Sequence, residues 1–211
     1  MLDLSYDRFR FDLPKLPETL PKSVDMSVLD KLLDNPQCLP KQPHWMYLRN
    51  LCIFELMTYS RLRISEVSNL LMTDVYFAER QIRVIGKGQR TRLVPITDTV
   101  TKRIRAYLKE RSASAVNIRT NHLFVGRGGK MLRPCSIRLS LHKMVAARLG
   151  EEMHITPHSL RHSCATHFVR ETHNLRFVQI LFGHKSIATT QIYTHLDNGF
   201  VQEMFHQHHS R

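Results

Sequence analysis

Several things are scarce in this 211-residue chain. It holds four cysteines, Cys38, Cys52, Cys135 and Cys164, and no two stand close enough for a CxxC pair. A zinc ribbon is therefore excluded, and reduced thiols in the cytoplasm are the default expectation. No signal peptide opens the chain, because the first residues alternate acids with aromatics and lack an apolar core. No run is apolar enough to cross a membrane. The richest, "WMYLRNLCIFELMTY", is broken by Arg49, Asn50 and Glu55. There is no internal repeat and no low-complexity stretch. Acidic residues are also short, 18 against 31 Lys and Arg, which leaves a formal net charge of +13.

That imbalance has a location. Residues 1–44 carry six Lys or Arg and seven Asp or Glu, a net of −1. The remainder carries 25 and 11, a net of +14. The positive field belongs to the main body and not to a basic tail. A field of this kind points to a polyanionic partner such as nucleic acid.

The pattern predicts a mainly α chain with one small antiparallel sheet, an α+β domain. Three prolines in "LPKLPETLPKS" read as an extended arm over residues 1–24. Met26, Leu29, Leu32 and Leu33 recur at helical spacing, with Asp25 or Ser27 as cap. Residues 45–59 read as a largely buried helix. "VYF", "QIRVIG" and "TRLVPI" are short strands joined by turns, the second turn at "GKGQ". "TDTVTKRIRAYLKER" is an amphipathic helix capped by Thr97 or Asp98. "LFVGRGGKML" reads as a turn between extended pieces. Helices follow over roughly 134–149, 157–172, 175–182 and 186–196.

Four stretches carry groups for chemistry. In "TPHSLRHSCATH", Thr156 and Pro157 start a helix whose first turn bears His158 and Arg161 on one face. The free N–H groups and dipole of that helix end favour an anion. A solvated helix face and an oxyanion site both fit this motif. Zinc at His158 and His162 is disfavoured, because Ser159 stands where a hydrolase needs glutamate and Arg161 places a cation beside the metal. In "YSRLRISEVSNL", Arg63 precedes a helix with apolar positions Val67, Leu70 and Leu71, and Glu66 either orients Arg63 or caps the helix. Lys87 lies between Gly86 and Gly88 at a hairpin tip, where close approach to a ligand is sterically open. It is either a solubilising residue or a group reaching into a DNA groove. Finally "GHKSIATTQIYTHLD" holds His184 and Tyr193; a tyrosine in such a context ordinarily packs and hydrogen-bonds its hydroxyl.

In this order, these pieces resemble the signature of the tyrosine recombinases, the phage-integrase family. Arg63 in "RLRISE", Lys87 in "VIGKGQRTRLVP", His158 and Arg161 in "HSLRH", His184 in "FGHKS" and Tyr193 in "TTQIYTHLD" each stand at a motif position. The likeness extends to the Xer recombinases across "IGKGQRTRLVPI" and "GHKSIATTQIYTHLD" and covers about residues 20–200. It implies the recombinase catalytic-domain fold over residues 25–198. It also implies a metal-free and cofactor-free reaction, with Tyr193 as nucleophile and Glu66 in support. Its partners would be double-stranded DNA with a specific site and, as a homotetramer or heterotetramer, further recombinase protomers. The tail 199–211 bears Phe200, Val201, Met204 and Phe205 as an apolar stripe that the resemblance implies docks on a neighbouring protomer.

Two residues depart from the family pattern. Arg61 stands where glycine is usual before "LR", and Phe182 where "LGH" is usual. The N-terminus departs further. Xer proteins and phage integrases place a helical DNA-binding domain ahead of the catalytic one, and here only the arm precedes it. The fimbrial phase-variation recombinases share that organisation, and a truncated gene is the competing explanation. Other function classes remain: a DNA-binding regulator without catalysis, disfavoured by the complete catalytic set, and a type IB topoisomerase, disfavoured by the Xer-like motifs.

Overall fold

A computed structural model describes residues 24–34, 42–86, 88–114 and 117–172, with side chains through Cys164. The arm, Lys87, the helices expected over 175–182 and 186–196, His184, Tyr193 and the tail lie outside the described residues. The elements run α1 (Met26–Asp34), α2 (His44–Thr58), α3 (Ile64–Asn69), a 3-10 turn (Met72–Asp74), β1 (Val75–Tyr76), β2 (Gln81–Ile85), β3 (Thr91–Pro95), α4 (Asp98–Ala113), α5 (Pro134–Leu149) and α6 (Pro157–Thr172).

Helix α2 is the axis of the core. Its buried residues run from Trp45 through Tyr47, Leu51, Ile53, Phe54 and Leu56 to Thr58, covering nearly its whole circumference. A helix apolar on all sides is stable only when other elements surround it. Here α1, α3, α4, α5 and α6 do so. Each presents a single stripe: Leu29, Leu32 and Leu33 from α1, Val100, Ile104 and Tyr107 from α4, Ile137, Leu141, Met144 and Val145 from α5. Fully burying one such side chain is worth about 1.5–3 kcal/mol.

The helix ends obey local chemistry. Ser27 N–H donates to Asp25 Oδ1 at 2.8 Å, so Asp25 is the cap of α1. Val100 N–H donates to the Thr97 hydroxyl at 3.2 Å, so Thr97 and not Asp98 caps α4. In α6 the Thr156 amide donates to the Ser159 hydroxyl (2.8 Å) and the Ser159 amide to the Thr156 hydroxyl (3.1 Å), a reciprocal cap just before Pro157.

The helix after Arg63 is shorter than its apolar pattern predicts. Leu70 and Leu71 are expected on it, but α3 ends at Asn69. Leu70 is already extended with ψ 134°, and Leu71 bridges His122 across to the segment before the 123–132 turn. Pairing with that segment outweighs another helical turn.

The three strands form an antiparallel sheet in the order β1-β2-β3, with Ile82 opposite Val94 and Val84 opposite Arg92. Ile82, Val84, Arg92 and Val94 share its inner face. The "VGRGGKM" turn closes through Gly126 N–H to the Lys130 carbonyl at 2.9 Å. Gly129, at φ +69°, has no alternative: a Cβ there would stand 1.8 Å from the Asn117 carbonyl oxygen.

Candidate active site

The site is built where α2 ends. After Tyr59 the chain makes a sharp turn through Ser60, Arg61 and Leu62 before α3 begins. Leu62 N–H reaches back to the Leu56 carbonyl at 3.1 Å, and the Ser60 hydroxyl donates to the Pro95 carbonyl at 3.0 Å. This turn requires a left-handed residue, and Arg61 takes it with φ +49°. The geometry explains why glycine suits that position and why an arginine there is held under strain.

Glu66 organises the start of α3 and the charges around it. Its side chain is only 4% exposed. One oxygen accepts from the Arg63 amide at 2.8 Å and the other from the Arg63 guanidinium at 3.0 Å. The same carboxylate thus caps α3 and orients Arg63. It also receives Arg92 from β3 in a two-pronged pair, 3.0 Å on each oxygen. Burial pushes the Glu66 carboxyl up. The hydrogen bonds from Arg92 and the Arg63 backbone, with the charge of Arg92, outweigh burial and hold it below the usual carboxylate range. Arg63 itself stays 57% exposed, oriented at its base and open at its head.

Arg161 enters from α6. It is 9% exposed, and its Nη1 donates to the Arg61 carbonyl, so the strained turn and the α6 arginine are joined. Burial, then the charges of Arg61 and Arg63, push the Arg161 guanidinium down to about 10, opposed by Glu66. Arg61 is likewise pushed down to about 10, first by burial. Both remain charged at neutral pH. Three guanidiniums, those of Arg63, Arg92 and Arg161, therefore face one carboxylate, with the charge of Arg61 bearing on Arg161. Such a cluster is complementary to an incoming dianion or phosphodiester.

The hairpin closes one side. Gly86 N–H donates to the Arg90 carbonyl at 2.8 Å, and a Cβ on Gly86 would stand 3.6 Å from Arg92 Nη1 and 3.9 Å from Glu66 Oε1. Gly86, the last described residue before Lys87, thus lies beside the Glu66 cluster. His158 is exposed in the first turn of α6, its ring 6.3 Å from that of His162. Among the described residues, no group of three His, Cys, Asp or Glu is arranged to hold a metal ion. Cys164 is no nucleophile here, since burial pushes its thiol up to about 12.

So the structure brings Arg63, Glu66 and Arg161 together and places His158 on the same helix end as Arg161. Arg92 and Arg61 are members that motif reading missed. Arg92 left a signal: it is in phase with Val94 on the inward face of a strand, where a charged residue needs a partner. Arg61 left only its departure from the glycine pattern.

The model of the phage integrase family matches residues 22–199 of the chain. Tyrosine recombinase XerC of Psychromonas ingrahamii is 37% identical over 198 residues, covering 94% of this chain and 64% of that protein. XerC of Mannheimia succiniciproducens is 38% identical with the same coverage. The chain thus spans a little under two thirds of the length of these relatives. Among solved structures, the XerA recombinase matches with TM-score 0.67 and 30% identity, over 92% of this chain and 68% of that one. XerH bound to its palindromic difH substrate matches with TM-score 0.68 at 24% identity, over 89% of this chain and 53% of that one, and shows the shared fold. With a family model spanning most of its length and relatives above 30% identity, the chain belongs to the phage integrase family, the tyrosine recombinases.

Proposed function

We propose that this chain breaks and rejoins DNA strands as the catalytic domain of a site-specific recombinase, through a covalent 3′-phosphotyrosyl intermediate. The observation that carries this reading is the surplus of guanidinium around Glu66. Arg63 and Arg161 take the non-bridging oxygens of the scissile phosphate, with Arg92 and Arg61 behind them. The XerC relatives are named tyrosine recombinases and XerH is described on its DNA, which supports the same partner here.

The nucleophile is the Tyr193 hydroxyl. A free phenol titrates near 10, so at neutral pH only about one in a thousand is ionised, a handicap of ~4 kcal/mol. Attack by the Tyr193 oxygen forms the new phosphorus–oxygen bond while the bond to the 5′-oxygen breaks. The phenolic proton passes to His158, and Lys87 gives a proton to the departing 5′-oxygen. His184 donates a hydrogen bond to the phosphate. The arginines hold the charge that a metal ion holds in other phosphoryl-transfer enzymes. The diester energy is kept in the phosphotyrosyl bond, and a 5′-hydroxyl from a partner strand reverses the step. Strand exchange of this kind engages two double-stranded sites and a tetramer, homomeric or heteromeric, in the cytoplasm.

The test is a nicked suicide substrate carrying the site, incubated without divalent metal. A covalent protein–DNA adduct is expected, lost in Tyr193→Phe. An adduct that survives that substitution overturns the nucleophile. A wild type that binds sites but never forms one points to the binding-only regulator. Relaxation of supercoiled plasmid without strand exchange points to a topoisomerase.

A further inference from the structure

A second cation cluster lies away from Glu66. Arg49, on α2, is 1% exposed, so its charge is taken wholly out of water. Its partners are neutral. Nε and Nη2 donate to Asn50 Oδ1 at 3.1 and 2.8 Å, Nη1 donates to the Val125 carbonyl at 2.7 Å, and the guanidinium stands 5.5 Å from the Trp45 ring centroid. Those bonds use three of its five N–H groups. A buried charge normally carries a paired counter-charge, and here no carboxylate among the described residues supplies one. Burial pushes the group down to about 10, leaving it charged at neutral pH.

Arg49 lines a cavity of about 480 Å³ between α2, α5 and the 123–132 turn. Two more cations stand on its wall, Arg127 from the turn and Lys143 from α5. Both are exposed, and among the described residues neither pairs with a carboxylate. Ser136 and Ser140, one helical turn apart on α5, add two hydroxyl donors. Three cations, two hydroxyls and no acid line one space. One hydrogen bond ties the cavity wall to α3. Leu132, on its wall, accepts the Ser68 hydroxyl at 2.5 Å, and Ser68 belongs to the short helix α3 that Arg63 opens.

We propose that this cavity binds a phosphate group, and that the phosphate is one from the backbone of the DNA whose scissile phosphate meets Arg63 and Arg161. The anion supplies the counter-charge that Arg49 lacks, with Arg127 and Lys143 closing on its outer oxygens and the serines on the near side. The DNA source rests on the recombinase reading; the phosphate chemistry does not. The chain then holds its substrate at two points separated by α3, one where chemistry occurs and one that fixes register.

The side-chain Nε–Hε resonance of Arg49, observed by ¹⁵N NMR in the full chain, reads the site directly. Inorganic phosphate is expected to move it saturably. Asn50→Asp places a carboxylate on the same two Arg49 bonds and is expected to weaken that response at least about tenfold. A short duplex is expected to move the same resonance at lower concentration. Lys143→Ala and Arg127→Ala, both at exposed positions, should each lower the salt slope of duplex binding by about 0.9. An Arg49 resonance that phosphate leaves unmoved, or an Asn50→Asp chain that responds as the wild type does, overturns the site. A response to inorganic phosphate without one to duplex overturns the DNA source. Adduct formation on the suicide substrate separates the two readings: an adduct with a silent Arg49 sinks the cavity and spares the recombinase, and a responsive Arg49 without adduct does the reverse.

Discussion

Two clusters of guanidinium and carboxylate flank the same central helix, and they are balanced differently. On one side Arg103 from α4 meets Glu55 of α2 and, at 3.6 Å, Asp34 at the end of α1, while also donating to the Leu33 carbonyl at 3.3 Å. One guanidinium has two carboxylates. Beyond the C-terminal end of α2, the guanidiniums of Arg63, Arg92 and Arg161 face the single carboxylate of Glu66. The first arrangement joins α1, α2 and α4, and its charges are spent on one another. The second is too positive to be at rest without an anion. On the proposed reading, the difference separates an ion pair that folds the chain from a cluster that takes a phosphate, although both are built from the same residue types.

Substitution on each side should therefore produce opposite readouts. The largest effect is expected from Arg161→Ala. It removes a transition-state donor and should slow adduct formation by about 100- to 1000-fold. The urea midpoint should move little, because relief of repulsion from Arg61 and Arg63 offsets the lost bond to the Arg61 carbonyl. Glu55→Gln should do the reverse. Breaking a buried pair by removing one partner costs about 3–5 kcal/mol, and the 22% exposure of Arg103 places this case near the lower end. Equilibrium unfolding in urea should show that loss, while the adduct rate per folded molecule stays at the wild-type value. If Arg161→Ala unfolds the chain, or Glu55→Gln abolishes adduct formation in folded protein, the distinction between the two clusters fails.

Glu66 belongs to both descriptions, which makes it a sharper probe. Glu66→Gln keeps the shape and removes the carboxylate that Arg63 and Arg92 bond and Arg161 faces. A charge-assisted bond contributes roughly 1.5–3 kcal/mol, so a loss of about 2 kcal/mol is expected together with slower cleavage, as Arg63 loses its orientation. The pH dependence carries a sign. The folded-state value is below the ordinary carboxylate range, so the Glu66 contribution is fully present above about pH 4.3. It is lost as pH falls through the folded value. Between those limits the wild type should lose stability with acid more steeply than Glu66→Gln. Parallel urea midpoints across that window check it.

Much of the fold was legible because local chemistry fixed it. The start of α6 came from Thr156 and Pro157. The α4 cap was narrowed to Thr97 or Asp98, and Glu66 was placed either to orient Arg63 or to cap α3; the structure selects Thr97 and gives Glu66 both tasks. What was not legible depended on contacts distant in sequence. Arg92 is 26 residues from Glu66, and only the strand register turns it inward. The early end of α3 depended on Leu71 pairing with His122, and the Asn50 substitute for a carboxylate gained meaning only once Arg49 proved buried. Residues in the motifs were identified by order and Glu66 by its spacing, but Arg92, which bonds both oxygens of Glu66, was not.

The smallest expected effects come from two left-handed arginines that can be compared directly. Arg61 (φ +49°) and Arg80 (φ +51°) have nearly the same backbone strain, and each carbonyl accepts a bond, from Arg161 and from the Ile96 amide respectively. Replacement by glycine removes that strain, worth about 1 kcal/mol, at either position. Arg80→Gly also loses an ion pair to Asp98 at 2.8 Å whose members are 41% and 59% exposed. Such pairs contribute about 0.2–1 kcal/mol, so the net change in stability should lie within roughly 0.5 kcal/mol, and adduct formation should be untouched. Arg61→Gly gains the same relief but removes a guanidinium whose charge bears on Arg161. Its thermal midpoint should rise or stay level while adduct formation falls several-fold and the salt slope of DNA binding drops by up to about 0.9. A strained residue whose relief stabilises the fold and slows the chemistry is held for the chemistry. Equal behaviour of the two glycine variants in the adduct assay would mean that Arg61, like Arg80, serves only the turn it occupies.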